Sequence, residues 1–194
     1  MRIRPTGTEL LSAARAVLHE ALLPHLPHDE QQIAASIGRA MAIAAAEMEF
    51  DRVARREHVE QLEAARAVVR EKLLARLPED RRYDARLVAK AIAVAAMEML
   101  NGDIPERAEL IRLTALLETA PPTVAGGQEL RAHLVRFYAR LCADIRNGCV
   151  EPHSPRYAAT YAHLREVTRQ ALSESHPAYL QARAESARDR EQAL

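Results

Sequence analysis

The fold is decided by a stretch that occurs twice: ELLSAARAVLHEALLPHLPHDEQQIAASIGRAMAIAAAEME at residues 9–49 and EQLEAARAVVREKLLARLPEDRRYDARLVAKAIAVAAMEML at residues 60–100. The copies align without a gap at an offset of 51 positions, and about 20 of 41 positions are identical. Both copies contain AARAV, then Glu-x-Leu-Leu, then Leu-Pro-x-Asp, and both end their alanine-rich run in Glu-Met. The repeat predicts an internal duplication of a helical hairpin.

Apolar residues recur every three or four positions in both copies and after them, which is typical of amphipathic helices. Alanine, leucine, arginine and glutamate dominate, while glycine is scarce and tryptophan is absent. We predict an all-α bundle of about seven helices, forming one domain over residues 1–194. The repeats at 9–49 and 60–100 are followed by C-terminal helices at 103–180 and a polar tail at 181–194.

Capping residues indicate where several of these helices begin and end. Thr6 and Glu9 have the spacing of a capping box, so the first helix should begin near Gly7. Asn101-Gly102 should end the fourth helix, because glycine adopts the left-handed conformation found after many helices. APPTVAGG at 120–127 predicts a loop, and Ser154-Pro155 predicts the start of the seventh helix.

The last two helices have regular apolar positions that predict their buried faces. For the sixth helix the predicted inward residues are Leu130, Leu134, Phe137, Leu141 and Ile145, with Cys142 also in the core. The seventh helix follows Tyr161, Leu164, Val167 and Leu172 before Pro177 interrupts it.

The charge balance argues against nucleic acid or an anionic membrane as the main partner. The chain has 27 basic and 27 acidic residues, whereas such partners require a net basic surface. A nucleic-acid-binding regulator would need local clusters such as Arg81, Arg82 and Arg86 to converge on one face. The apolar runs are too short to cross a bilayer. With two cysteines and no signal-peptide pattern, the sequence predicts a soluble cytoplasmic protein.

No motif in the sequence fixes a chemistry, and this favours a non-enzymatic role. There is no Gly-x-Ser-x-Gly and no phosphate-binding or dinucleotide-binding glycine pattern. A di-iron site in a helical bundle uses Glu-x-x-His, which does not occur here. His163 and Glu166 have the same spacing in reverse order, without a matching pair elsewhere. We therefore predict no catalytic residue, no metal site and no cofactor.

Glu47 and Glu98 are the polar residues that most merit attention as a binding site. They occupy equivalent positions in the two copies, each between apolar residues at the end of an alanine-rich run. If the repeats are related by a pseudo-twofold axis, the two carboxylates could meet in a pocket and act as an acid–base pair. Alternatively, each glutamate pairs with a nearby arginine at the rim of the bundle.

Three segments carry a resemblance to a known family: RPTGTELLSAARAVLHEALLPHLP at 4–27, LRAHLVRFYARLCADIRNG at 130–148, and HLREVTRQALSESHPAYL at 163–180. They resemble a bacterial all-helical domain family of unknown function, whose members are often encoded beside aminoglycoside-phosphotransferase-like proteins and acyl-CoA dehydrogenases. The resemblance covers most of the chain apart from the second copy and carries over no functional residue. What it implies is a protein partner of one of these two kinds.

These observations lead to two hypotheses of function. The first is a non-enzymatic accessory or protein-interaction module for a phosphotransferase-like or acyl-CoA-metabolising enzyme, either as a monomer or as a homodimer. The alternative is a small-molecule-binding protein or enzyme, with a carboxylate-lined pocket between the repeats that contains Glu47 and Glu98.

Overall fold

The computed structural model describes residues 5–49, 56–176 and 179–185. All regular structure in these ranges is helical, so the prediction of an all-α fold is confirmed. The main helices, in chain order, are α1 Gly7–Val17, α2 His28–Glu49, α3 Arg56–Val68, α4 Glu79–Asn101, α5 Ile104–Leu116, α6 Gly127–Arg146 and α7 Pro155–Ser175. A further helical stretch covers 179–185. Pro177 and the tail from 186 onward lie outside the described residues.

Contacts within the chain cluster into two compact units. The first unit is Ile3–Gly102, which contains α1 to α4 and both copies of the repeat. The second unit is Asp103–Leu194, which contains α5 to α7. That the whole chain forms one domain stays a prediction, as does the duplication. Within the described ranges, every helix is too short or too polar to span a lipid bilayer.

In the first unit, α1 packs against α2 and α4, while α3 packs against α4 and α2. The predicted capping box is present at the start of α1. The Thr6 hydroxyl accepts the Glu9 N–H at 2.9 Å, and the Glu9 carboxylate accepts the Thr6 N–H at 2.6 Å. Large side chains from all four helices and their extensions fill the centre, including Leu11, Leu18, Leu22, Met41, Leu62, Leu73, Leu77 and Ile92.

Each of the two shorter helices, α1 and α3, continues into a π-helical segment. These segments are Leu18–Leu22 after α1 and Val69–Leu73 after α3, so they also lie 51 positions apart. Buried residues after Ala14 recur at a constant spacing of four: Leu18, Leu22 and Leu26. In an α-helix this spacing turns the side chains by about 40° per step. The wider π turn offsets that rotation and keeps Leu18 and Leu22 in the core. Leu26 follows in extended conformation after a short 3-10 turn.

The second unit has a smaller apolar core. Six leucines form its described centre: Leu110, Leu113, Leu117, Leu130, Leu134 and Leu141. The predicted start of α7 is confirmed, because the Ser154 hydroxyl accepts the Tyr157 N–H at 3.0 Å. The predicted end of α4 at Asn101 is also confirmed, and Gly102 follows it with a φ of 57°.

The prediction that Ile145 and Cys142 face inward from α6 is wrong. Ile145 is 43% exposed, because it lies in the last turn of α6, past Leu141, the last leucine of the core. Cys142 is exposed rather than buried. Successive residues of a helix point about 100° apart, so the position after the buried Leu141 turns towards solvent.

Candidate functional site

Glu98 lies in the last turn of α4 and contacts the first residue of α1. Its carboxylate accepts the backbone N–H of Gly7 at 2.7 Å. A carboxylate is stabilised there, because the free N–H groups at a helix N-terminus carry partial positive charge. Gly7 is buried, and a Cβ at this position would collide with Met48 Cε and lie 3.2 Å from the Glu98 carboxylate. Glu98 thus fastens the start of α1 to the end of α4.

Glu47 holds the corresponding place near the end of α2 and is half-buried. In the second copy of the repeat, the position that corresponds to Gly7 is His58, close to the start of α3. Of the two glutamates, Glu98 caps a helix, through its contact with the Gly7 N–H. That Glu47 and Glu98 together form a ligand site stays a prediction.

A groove of about 560 Å³ opens between α1 and α2 in the first unit, and neither of these glutamates lines it. Its floor is apolar and includes Leu11, Met41 and Ala45. Arg15 and His19 lie on its α1 side. The volume is within the range of small-molecule sites in proteins, which is roughly 300 to 1,000 Å³.

In the second unit, a partly buried polar cluster joins all three helices. Tyr138 on α6 donates its hydroxyl proton to Glu109 on α5, with 2.5 Å between the oxygens. His163 on α7 lies with Nε2 3.1 Å from the same phenol oxygen. Burial, followed by the bond to Glu109, raises the pKa of Tyr138, so the phenol keeps its proton.

The proton positions in this cluster follow from its hydrogen bonds. Because the single phenol proton goes to Glu109, His163 must donate from Nε2 to the phenol oxygen. Its Nδ1 is then an unprotonated acceptor, and this buried atom has no hydrogen-bond partner among the described residues. Burial, and then the charge of Arg112, lower the pKa of His163. The imidazole is therefore held neutral and in one tautomer.

The packing of α7 is inverted relative to an ordinary amphipathic helix. Its buried residues are polar: Thr160, His163 and Glu174. None of the fully buried hydrophobic residues in the described chain belongs to α7. Instead, Tyr157, Tyr161 and Leu164 are 44%, 59% and 41% exposed, and their spacing places them on one face. We call these three residues the α7 stripe.

The comparison with protein families adds an identification. A family model described as a domain of unknown function (DUF6285) matches residues 75–179, more than half of the 194 residues. The chain belongs to this family. No curated protein and no solved structure matches the chain.

The DUF6285 match includes some of the features described above and leaves out others. It begins at Ala75, shortly before α4, and contains the Glu109–Tyr138–His163 cluster together with the α7 stripe. The groove between α1 and α2 lies outside it. Of the three segments that carry the resemblance, the one at 130–148 is inside the match, the one at 163–180 ends one residue beyond it, and the one at 4–27 is outside.

Sequence reasoning missed Glu109 and Tyr138, and it considered His163 only as a metal ligand. Glu109 is next to the core residue Leu110, and Tyr138 is next to Phe137, which packs against the core. Hydrophobic periodicity gives no sign that a polar neighbour also turns inward. For α7 the predicted buried face contains Tyr161 and Leu164. The residues that are buried, Thr160 and His163, each lie one position earlier in the sequence. An offset of one residue turns a helix face by about 100°.

Proposed function

We propose that this DUF6285 protein is a non-enzymatic accessory module that binds a partner enzyme through the second unit. The observation that carries the proposal is the inverted packing of α7, in which three large apolar side chains face solvent while polar side chains are buried. Aromatic residues clustered on one exposed face are typical of protein interfaces, where tyrosine contributes much of the binding free energy.

The charge beside the α7 stripe indicates what the partner surface contains. Arg165 follows Leu164 directly and is exposed. It makes no ion pair within the part of the chain that the structure describes. A complementary partner surface would have an apolar centre for Tyr161 and Leu164, with a carboxylate at its edge for Arg165.

The family resemblance described above indicates the class of partner. It implies a partner similar to aminoglycoside phosphotransferases or to acyl-CoA dehydrogenases, and we propose an enzyme of one of these two kinds. We place the complex in the cytoplasm, where the thiols of Cys142 and Cys149 would stay reduced; both cysteines are free and exposed.

The test is affinity purification of the tagged full-length chain from its native host, with mass spectrometry of the bound proteins. The decisive variant carries Tyr161→Ser and Leu164→Ser. Its matched control carries Tyr83→Ser and Leu87→Ser on α4, a second tyrosine–leucine pair with similar exposures of 64% and 45%. All four side chains face solvent, so both variants should fold, and circular dichroism checks this.

We expect wild type and the control to retain a phosphotransferase-like or acyl-CoA-metabolising enzyme in near-stoichiometric amount. The α7 variant should lose it by about tenfold or more, because truncating a central aromatic residue of an interface often costs about 2 kcal/mol. Equal recovery with both variants would remove the α7 stripe as the interface. Recovery of no such enzyme, or only of a second copy of this chain, would overturn the accessory role.

A further inference from the structure

The groove between α1 and α2 can be compared with the same surface in the second copy of the repeat, which lies on α3 and α4. The apolar floor is alike in both copies: Leu11 corresponds to Leu62, and Met41 to Ile92, and all four are fully buried. The differences between the copies lie in the residues around these two positions. They show what distinguishes the groove from the ordinary surface of such a helix pair.

In the second copy a larger side chain lies at the corresponding surface. Met97 is half-buried and stands where the first copy has Ala46. Beside it Ala96 is only 1% exposed, whereas the corresponding Ala45 is half-buried and lines the groove. Replacing the methionine by alanine thus accounts for part of the open volume.

The arginine that the two copies share has a different environment in each. In the second copy Arg66 donates to the Glu63 carboxylate at 2.8 Å. In the first copy Ser12 stands in place of Glu63, and Arg15 in place of Arg66. Among the described residues Arg15 makes no ion pair. A guanidinium without a carboxylate partner therefore borders an apolar groove, which is a suitable place for an anionic group.

His19 lies against the glycine opposite it on α2. Nε2 of His19 lies 2.8 Å from the position that a Cβ on Gly38 would occupy. In the second copy these two positions are Arg70 and Ala89. The glycine on α2 gives the imidazole ring room to lie across the helix pair, where its nitrogens can serve as further hydrogen-bonding groups for a ligand.

We infer that this groove binds a small molecule with a single carboxylate on an apolar chain. The carboxylate pairs with Arg15 and contacts His19. The apolar chain lies along Ala42, Ala45 and Ala46 of α2, above the buried floor. Glu20 also lines the groove, and its negative charge disfavours ligands that carry a second anionic group. The site lies within the first unit, outside the DUF6285 match, and is separate from the proposed interface on α7.

The test is isothermal titration calorimetry of the full chain with sodium octanoate, which combines one carboxylate with an apolar chain. Octanol lacks the charge and acetate lacks the chain. The decisive variant, Ser12→Glu with Ala46→Met, gives the groove the side chains of the second copy. A similar helix pair already accommodates these residues, so the variant should fold. The matched control, Glu63→Ser with Met97→Ala, makes the reverse changes in the second copy.

We expect wild type to bind one octanoate with a Kd of about 1 mM or lower, and at least about tenfold more tightly than octanol or acetate. The decisive variant should lose at least about tenfold in affinity, while the control retains the first site. The inference is overturned if octanoate does not bind, if octanol binds equally well, or if the decisive variant binds like wild type. A melting temperature measured for each protein separates loss of the site from loss of the fold.

Discussion

At the scale of single residues, His163 shows how a buried polar side chain makes stability depend on pH. Protonation would add a proton at Nδ1, which has no acceptor among the described residues, near the positive charge of Arg112. Burial, and then the charge of Arg112, therefore hold the pKa of His163 in the folded state below its unfolded value of about 6.5. For a group with a depressed pKa, the stabilisation is present above the unfolded pKa and is lost as the pH falls towards the folded pKa.

We predict that the free energy of unfolding of wild type decreases as the pH falls from about 7.5 to 5, and that His163→Gln shows a smaller decrease. Glutamine keeps an N–H donor for the Tyr138 oxygen but does not titrate. The other histidines and all carboxylates are common to both proteins, so the difference between the two curves isolates His163. Urea unfolding at a series of pH values measures it, and parallel curves would contradict the assignment.

At the scale of helices, Gly38 on α2 lets His19, on the π-helical extension of α1, approach closely. A Cβ at Gly38 would meet only the far end of an exposed side chain, which can rotate away. Alanine is favoured over glycine within a helix by up to about 1 kcal/mol. The second copy already has Ala89 at the corresponding position.

Gly38→Ala should therefore raise the free energy of unfolding by about 0.5 to 1 kcal/mol while displacing the His19 ring. Ala89→Gly, the reverse change in the second copy, should lower it by at least as much, because Ala89 is only 5% exposed. Urea denaturation of the two variants and of wild type checks both signs. A destabilising Gly38→Ala would mean that the His19 ring cannot move.

The helices also show which parts of the fold can be predicted from sequence. The Thr6–Glu9 capping box, the Ser154 cap and the glycine after α4 follow from local chemistry, and each was predicted to within a residue or two. The face that α7 buries was not predicted, because its contacts with Tyr138 and Asp144 depend on residues distant in sequence. The groove likewise depends on the small side chains of Ser12 and Ala46, where the second copy has Glu63 and Met97. Hydrophobic periodicity does not show how large each side chain is.

At the scale of the whole chain, the two units differ in how much apolar surface they bury. The described core cluster of the first unit contains 21 buried apolar residues and that of the second contains six. The second unit also holds α7 through polar contacts, which contribute less net stability than buried apolar side chains of the same size. Local opening should therefore require less free energy in the second unit than in the first.

Hydrogen exchange of the full-length chain, followed by mass spectrometry over increasing urea, tests this difference. We predict that the most protected amides of α6 and α7 open with a free energy at least about 2 kcal/mol below that of the most protected amides of α1 and α4. Correction for the intrinsic exchange rate of each peptide removes differences due to sequence alone. Equal opening free energies would instead support the single domain over residues 1–194 predicted from sequence, because one cooperative unit exposes all its core amides together.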